Sequence, residues 1–468
     1  MKSFENKPRV GEYTASGRPS ERVARIPGGQ RERAPGTEAR STTFVFFLLI
    51  VYILLVHLRL YEYAALSETF KGIPLLPGLI ISMLIAWAIT LPRNFDAAQL
   101  PLSIGLLVWV PLTLALTGWI SGTIEEFANF TPIIILFLIA ATTIDTLPRL
   151  RVTFFALGAA MTFIALHGID QKENEIGWSG AMMIQDRITY VGILNDPNDL
   201  ALALLVAVPM VMSFVRRKGS KLVAVAALCS TTTMLYAIYL TNSRGAIIAL
   251  GAMILVLSFK KYGMTKGLLL TPVLLLALIV AAPDRASEIS ADEASASGRI
   301  EAWYSGFQML KSRPISGVGK GQFTEHHIRT AHNSYVLTFA ELGIIGYFLW
   351  FSMIAVSARM LLTIIRDHTS TRDPPHTDDV WAEHRRLALI LLCSLTAFST
   401  AAFFLSRSYI ITLYLILAMV VGLYQSARLR RPDLPPMRLK ELWGWLVKLS
   451  IGSIISMWVA TRILLAYN

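Results

Sequence analysis

The stretch that decides the fold is AHNSYVLTFAELGIIGYFLWFSMIAVSARMLLTII, residues 331–365. From residue 336 onward it carries only two charged side chains, Glu341 and Arg359. Crossing a ~30 Å hydrocarbon core takes roughly 20 apolar residues in a helix, so this run is long enough to span. Immediately before it, His332 closes a polar island that begins near Pro283. Titratable groups at the edge of a hydrocarbon core are costly unless they are paired or used. Chemistry, if the chain performs any, is expected in that island.

Working outward, comparable apolar runs lie at 44–58, 73–91, 100–119, 131–147, 152–167, 200–215, 222–240, 246–259, 268–282, 387–405, 410–424 and 446–465. The chain of 468 residues is 54% hydrophobic and 16% charged, whereas a soluble domain carries about one quarter charged residues. Barrel strands alternate apolar and polar residues and these runs do not. The expectation is an all-α, polytopic helical membrane protein with about 12 transmembrane helices. The last run, 446–465, makes the span count odd if every run crosses. Cys229 and Cys393 lie inside apolar runs and read as small core residues.

The net charge of +12 suggests nucleic acid only until its distribution is read. Alternate loops hold Arg93, Arg149 and Arg151, then Arg216 to Lys221, Lys260 to Lys266, Arg385 and Arg386, and Arg428 to Lys440. By the positive-inside rule that face is cytoplasmic. The N-terminus is then inside and the polar island outside. The chain divides into a basic tail (1–40), a first set of transmembrane helices (41–282), an outer loop (283–335) and a second set (336–468). The tail has no apolar periodicity and reads as disordered. A cytoplasmic loop with His368, His376 and His384 matches no metal-ligand spacing.

Within the island, Ile300, Trp303, Tyr304, Phe307 and Leu310 share one face of an amphipathic helix. Ser297 is its expected N-cap and Pro314 its end. Gly317-Val318-Gly319-Lys320-Gly321 looks like a phosphate loop but lacks the first glycine and the final Ser or Thr of that template. Two other outer loops matter: the Asn195–Asp199 turn, and the short Thr241-Asn242-Ser243-Arg244-Gly245.

Arg187, Arg244, Arg299 and His332 therefore share the outer side. Arginine forks match phosphate oxygens, and an imidazole is the natural proton acceptor near neutral pH. Together they suit a reaction in which a hydroxyl loses its proton while a phosphorylated group leaves. The plainer readings stand beside this. Arg187 alone snorkels to headgroups, His332 caps a helix, and His326 and His327 are solvated loop residues without a zinc spacing.

The combination Asp186-Arg187, Asp196-Pro197-Asn198, Ser243-Arg244-Gly245, Gly298-Arg299, Gly317-Val318-Gly319 and His332-Asn333-Ser334-Tyr335 with Glu341-Leu342-Gly343 resembles the O-antigen ligase and O-antigen polymerase superfamily. The motifs cover roughly residues 186–350. The resemblance implies a metal-independent inverting glycosyltransferase with no cofactor, in the bacterial inner membrane and facing the periplasm. Its donor would be an undecaprenyl-diphosphate-linked glycan, its acceptor a glycan or lipid A core, with membrane lipids around it and no nucleic acid. By the same resemblance Arg244 and Arg299 bind the diphosphate, His332 is the base, and Arg187, Asn333 and Tyr335 help bind substrate. Surface-polysaccharide polymerase and O-antigen ligase are not separated by these motifs. Protein O-glycosylation within the same superfamily, and a non-catalytic lipid-linked glycan carrier or flippase, are the alternatives.

Overall fold

The computed structural model describes residues 35–90, 96–216, 219–263, 289–367 and 379–467. The tail expected at 1–40 thus lies outside the described residues up to position 34, as do the run 268–282, His368 and His376. The described chain is almost wholly helical, with two isolated bridges, Ile176 to Met182 and Ile184 to Arg187, and no named strand. In order the helices are α1 (Pro35–Leu58), α2 (Ala64–Phe70), α3 (Leu75–Ile89), α4 (Gln99–Ala115), α5 (Ile120–Thr143), α6 (Leu147–Asn174), α7 (Pro197–Met212) and α8 (Lys221–Leu240). They continue with α9 (Arg244–Tyr262), α10 (Ile289–Ser312), α11 (Phe323–His326), α12 (Ser334–Arg366), α13 (Asp379–Ala401), α14 (Ile411–Arg430) and α15 (Leu439–Tyr467).

The protein is a polytopic helical membrane protein. Among the described residues seven helices, α1, α5, α6, α8, α12, α14 and α15, are long and apolar enough to cross a membrane. The pair α2 and α3, bent by 61°, makes an eighth if it is one broken span. This falls short of the expected dozen for identifiable reasons. Helices α4 and α7 are apolar but short, the runs 246–259 and 387–405 sit in helices with charged ends, and 268–282 is not described. Lipid-facing apolar surface is kept where it meets hydrocarbon: α15 exposes Trp443, Ile451, Ile455, Trp458 and Ile463.

One end of the bundle is knit by ion pairs from the loops read as cytoplasmic. Glu383 is paired with Arg151 (2.6 Å), Arg386 (2.8 Å) and Arg216 (3.3 Å). Burial alone would raise this carboxyl, but hydrogen bonds from Arg386 and Arg151 hold it down at about 2. Arg431 to Asp367 and Arg438 to Asp96 close the same end. From there α15 runs to the opposite end, where Trp458 and Arg462 border a cavity with Tyr304 and Pro314. The final apolar run therefore traverses the bundle alongside the other long helices.

Helix α12 is broken at Gly343, whose φ of 66° and ψ of −168° are not helical. A break inside a membrane frees carbonyls that water cannot reach. The glycine-rich loop supplies the missing donors. Val318 and Gly319 donate to the carbonyls of Ala340 and Glu341, both at 2.9 Å, and Ile344 donates to Pro314 at 2.9 Å. Gly317 and Gly343 are required by this approach. A Cβ on Gly317 would sit 2.4 Å from the Glu341 carbonyl carbon, and one on Gly343 would sit 2.1 Å from the Ile315 oxygen. The phosphate-loop look-alike is a plug for a kinked helix.

The amphipathic helix of the island ends where expected but begins earlier. Helix α10 starts at Ile289, so Ser297 lies inside it rather than capping it. The preceding alanines and Glu293 are good helix formers and extend it backward. Phe307 packs on Phe339 of α12 with ring centroids 4.7 Å apart, and the Trp303 indole donates to the Ala331 carbonyl at 3.0 Å.

Replacing Gly343 or Gly317 by alanine forces a side chain into a left-handed conformation against backbone, so each should destabilise by about 2 kcal/mol or more. The same change at Gly444 or Gly452, where a Cβ meets nothing within 4 Å, should be neutral or slightly stabilising. Melting temperatures of the four purified variants in detergent check both halves.

Candidate active site

At the end opposite the Glu383 cluster lies a cavity of about 890 Å³. Its lining includes Arg187, Asp196, Arg244, Arg299, His332 and Arg407. Three loops and α10 converge to form it, so residues 220 positions apart in sequence (187 to 407) share one wall.

Each side chain is placed by a local device. Arg244 is the first residue of α9; Ser243 caps that helix by accepting from the Ala246 amide (3.4 Å), and Asn242 turns the chain with a φ of 55°. Arg299 stands on α10 next to Ile300 and Trp303, which face the same cavity. Burial lowers its pKa from the ordinary arginine range, and the Arg244 charge lowers it further. Two guanidiniums that repel one another across a cavity favour an anion between them.

His332 precedes α12 in a left-handed conformation with a φ of 46°, a region that histidine tolerates better than most residues. The chain on either side of it is pinned. Ala331 accepts from Trp303. Ser334 donates its amide to Ala402 (2.7 Å) and its hydroxyl to Leu405 (2.6 Å). Burial lowers the imidazole pKa; Arg299, Arg329 and Arg407 lower it further, against an opposing pull from Asp196. At neutral pH the ring is therefore uncharged and able to accept a proton.

Arg187 lines the cavity but is engaged in the scaffold. Its Nε donates to the Thr241 carbonyl (2.7 Å) and its Nη2 to Asn198 Oδ1 (2.8 Å). It thereby ties the turn before α9 to the turn before α7, where Asp196 caps by accepting from the Asn198 amide at 2.8 Å.

Asn333 and Tyr335 require a correction, because neither lines the cavity. Asn333 is fully buried and caps α12, its Oδ1 accepting from the amides of Tyr335 (2.9 Å) and Val336 (3.1 Å). Tyr335 packs under the site against Phe403 and donates its hydroxyl to the Ser399 carbonyl at 3.0 Å. In the first turn of a helix, successive side chains point in different directions, so proximity to His332 in sequence did not bring them to the same surface.

Arg407 is the cavity residue that pattern reading missed. The apolar run 387–405 was read as one span, but α13 ends at Ala401 and the chain turns back over the N-terminus of α12. There Arg407 forms a two-point ion pair with the buried Asp199, its Nε at 2.5 Å and its Nη2 to the second oxygen. The signal available was the Ser406-Arg407-Ser408 interruption between two apolar runs, at the same depth as Asp199 after its turn.

The fold and this site define a polytopic membrane protein with a concentrated cationic cavity and a neutral imidazole at one end of its helices. Residues 229–351 match the family model described as O-antigen ligase. That segment is thus similar to the O-antigen ligase family. No curated protein matches the chain. The matched segment includes Arg244, Arg299 and His332; Arg187, Asp199 and Arg407 fall outside it.

If the imidazole is the working base, activity should hold as pH falls through the ordinary histidine value of about 6.5 and drop only below it. Arg299→Gln removes a neighbouring cation and should move that acid limb upward. Asp196→Asn removes the one opposing charge and should move it down. The pH dependence of kcat/KM for the three proteins, or NMR titration of the His332 ring, checks the direction of each shift.

Proposed function

We propose that the protein transfers a glycan from an undecaprenyl-diphosphate carrier to an acceptor hydroxyl, on the periplasmic face of the bacterial inner membrane, as a surface-polysaccharide polymerase or O-antigen ligase. The observation that carries this reading is the meeting of Arg244, Arg299 and His332 in one cavity at the end of the bundle away from the basic loops. The positive-inside rule puts that end outside the cytoplasm.

Arg244 and Arg299 receive the donor diphosphate. As the bond between the anomeric carbon and the phosphate oxygen breaks, charge grows on the leaving diphosphate and their forks stabilise it. The acceptor hydroxyl attacks the opposite face of the anomeric carbon, its oxygen forming the new glycosidic bond with inversion. Its proton passes to the neutral His332 ring. The products are the lengthened glycan and undecaprenyl diphosphate, and the ring returns its proton to solvent. Arg187 and Arg407 brace the walls, each through bonds to the scaffold.

Reconstituted protein supplied with an undecaprenyl-diphosphate oligosaccharide, with either lipid A core or a second donor molecule present, tests the reaction directly. A ladder of products identifies a polymerase and capture on the core a ligase; movement of donor without bond formation defeats the reading. His332→Ala should lower transfer by about 10²–10⁴ with donor binding retained. Arg244→Ala should weaken donor binding itself, measured by retention of labelled donor.

A further inference from the structure

Behind the cationic cavity lies a second one of about 390 Å³, which the reaction above does not use. The two share Thr330, Ser406 and Arg407 in their linings, and the Thr330 and Ser406 hydroxyls are hydrogen-bonded at 2.9 Å. The dividing wall is thus two small side chains and one guanidinium, two residues from His332.

The chemistry on the far side of that wall is different. Glu341 is 2% exposed and is held by the backbone amides of Gly321 and Phe323 and by the Tyr409 hydroxyl at 3.5 Å. The Lys320 ammonium lies 4.8 Å from the centre of the Tyr409 ring and 3.2 Å from Glu126. Its charge is already met there, as the Glu341 carboxyl is met by the two amides and the Tyr409 hydroxyl. A second phosphate would find both lining cations already engaged, Lys320 by Glu126 and Arg407 by Asp199. A neutral molecule rich in hydroxyls would meet the Lys320 ammonium, the Thr330 and Ser406 hydroxyls and the Tyr409 ring. Cavities of roughly 300–1,000 Å³ are the size that holds small ligands.

Resting on the reaction proposed above, we infer that this second cavity seats the acceptor: a neutral sugar residue whose reactive hydroxyl reaches past Thr330 and Ser406 to His332. The diphosphate and the acceptor then occupy separate, adjoining compartments.

Thr324 is exposed on the short helix α11 and points to the seat, so Thr324→Trp should fill the cavity with little strain, and Thr324→Ala should leave it open. The full-length protein in nanodiscs is probed with two soluble acceptors, deacylated lipid A core oligosaccharide and a repeat-unit oligosaccharide, by saturation-transfer NMR. One of them should bind the wild type and the alanine variant, and lose at least about tenfold in affinity for the tryptophan variant. In turnover the tryptophan variant should raise acceptor KM by the same factor and leave donor KM within about twofold. Equal acceptor binding by all three proteins, binding of neither probe to the wild type, or a parallel rise in donor KM overturns the assignment. Acceptor binding lost in the tryptophan variant alongside a wild type that transfers nothing upholds the seat and overturns the reaction instead. Which oligosaccharide responds distinguishes core from repeat unit as the source.

Discussion

A backbone carbonyl freed inside a membrane must find a donor within the protein, at a cost of several kcal/mol if it does not. The break of α12 at Gly343 frees such groups, and the glycine-rich loop answers them with the amides of Val318 and Gly319. That exchange locks the loop onto the helix. It thereby sets the end of α10 and the course of the chain to His332, and it turns Glu341 toward the loop rather than toward lipid. This end of the bundle is organised around this one repair.

The two ends of the bundle use arginine in opposite ways. At one end three arginines surround Glu383, whose carboxylate is kept charged far below its ordinary range. Their charge is consumed in holding helices together. At the other end four arginines line a cavity in which Asp196 is the acidic lining residue and Asp199 sits behind Arg407. Burial lowers the His332 pKa there, and the surplus of positive charge lowers it further. One cluster thus favours an anion in the cavity and adds to the burial that keeps the nearby imidazole unprotonated.

Much of this was legible in the chain because membranes impose simple rules. Hydrocarbon thickness fixed the length of the apolar runs, and loop charge set the two ends of the bundle apart. The Arg244, Arg299 and His332 set was found by asking which titratable residues share a side. What escaped did so for physical reasons. Arg407 was hidden because the apolar run 387–405 continues past the end of α13, where a span and a folded-back loop have the same hydropathy. Asn333 and Tyr335 were placed in the site by adjacency, but helix geometry sends one into a cap and the other into the packing beneath. Ser297 was read as a start because local capping preference is weaker than the helix propensity of the residues before it.

The sequence by itself determined an all-helical membrane protein and the gathering of Arg244, Arg299 and His332 at one end of it, since each depends on composition and order along the chain. Tertiary structure alone decided that Arg187 braces two turns, that Arg407 is fixed by Asp199, and that a glycine loop seals a broken helix. It also decided that a second cavity lies behind Thr330 and Ser406. These depend on contacts between residues separated by up to 208 positions, and no local pattern encodes which distant partner a donor will meet.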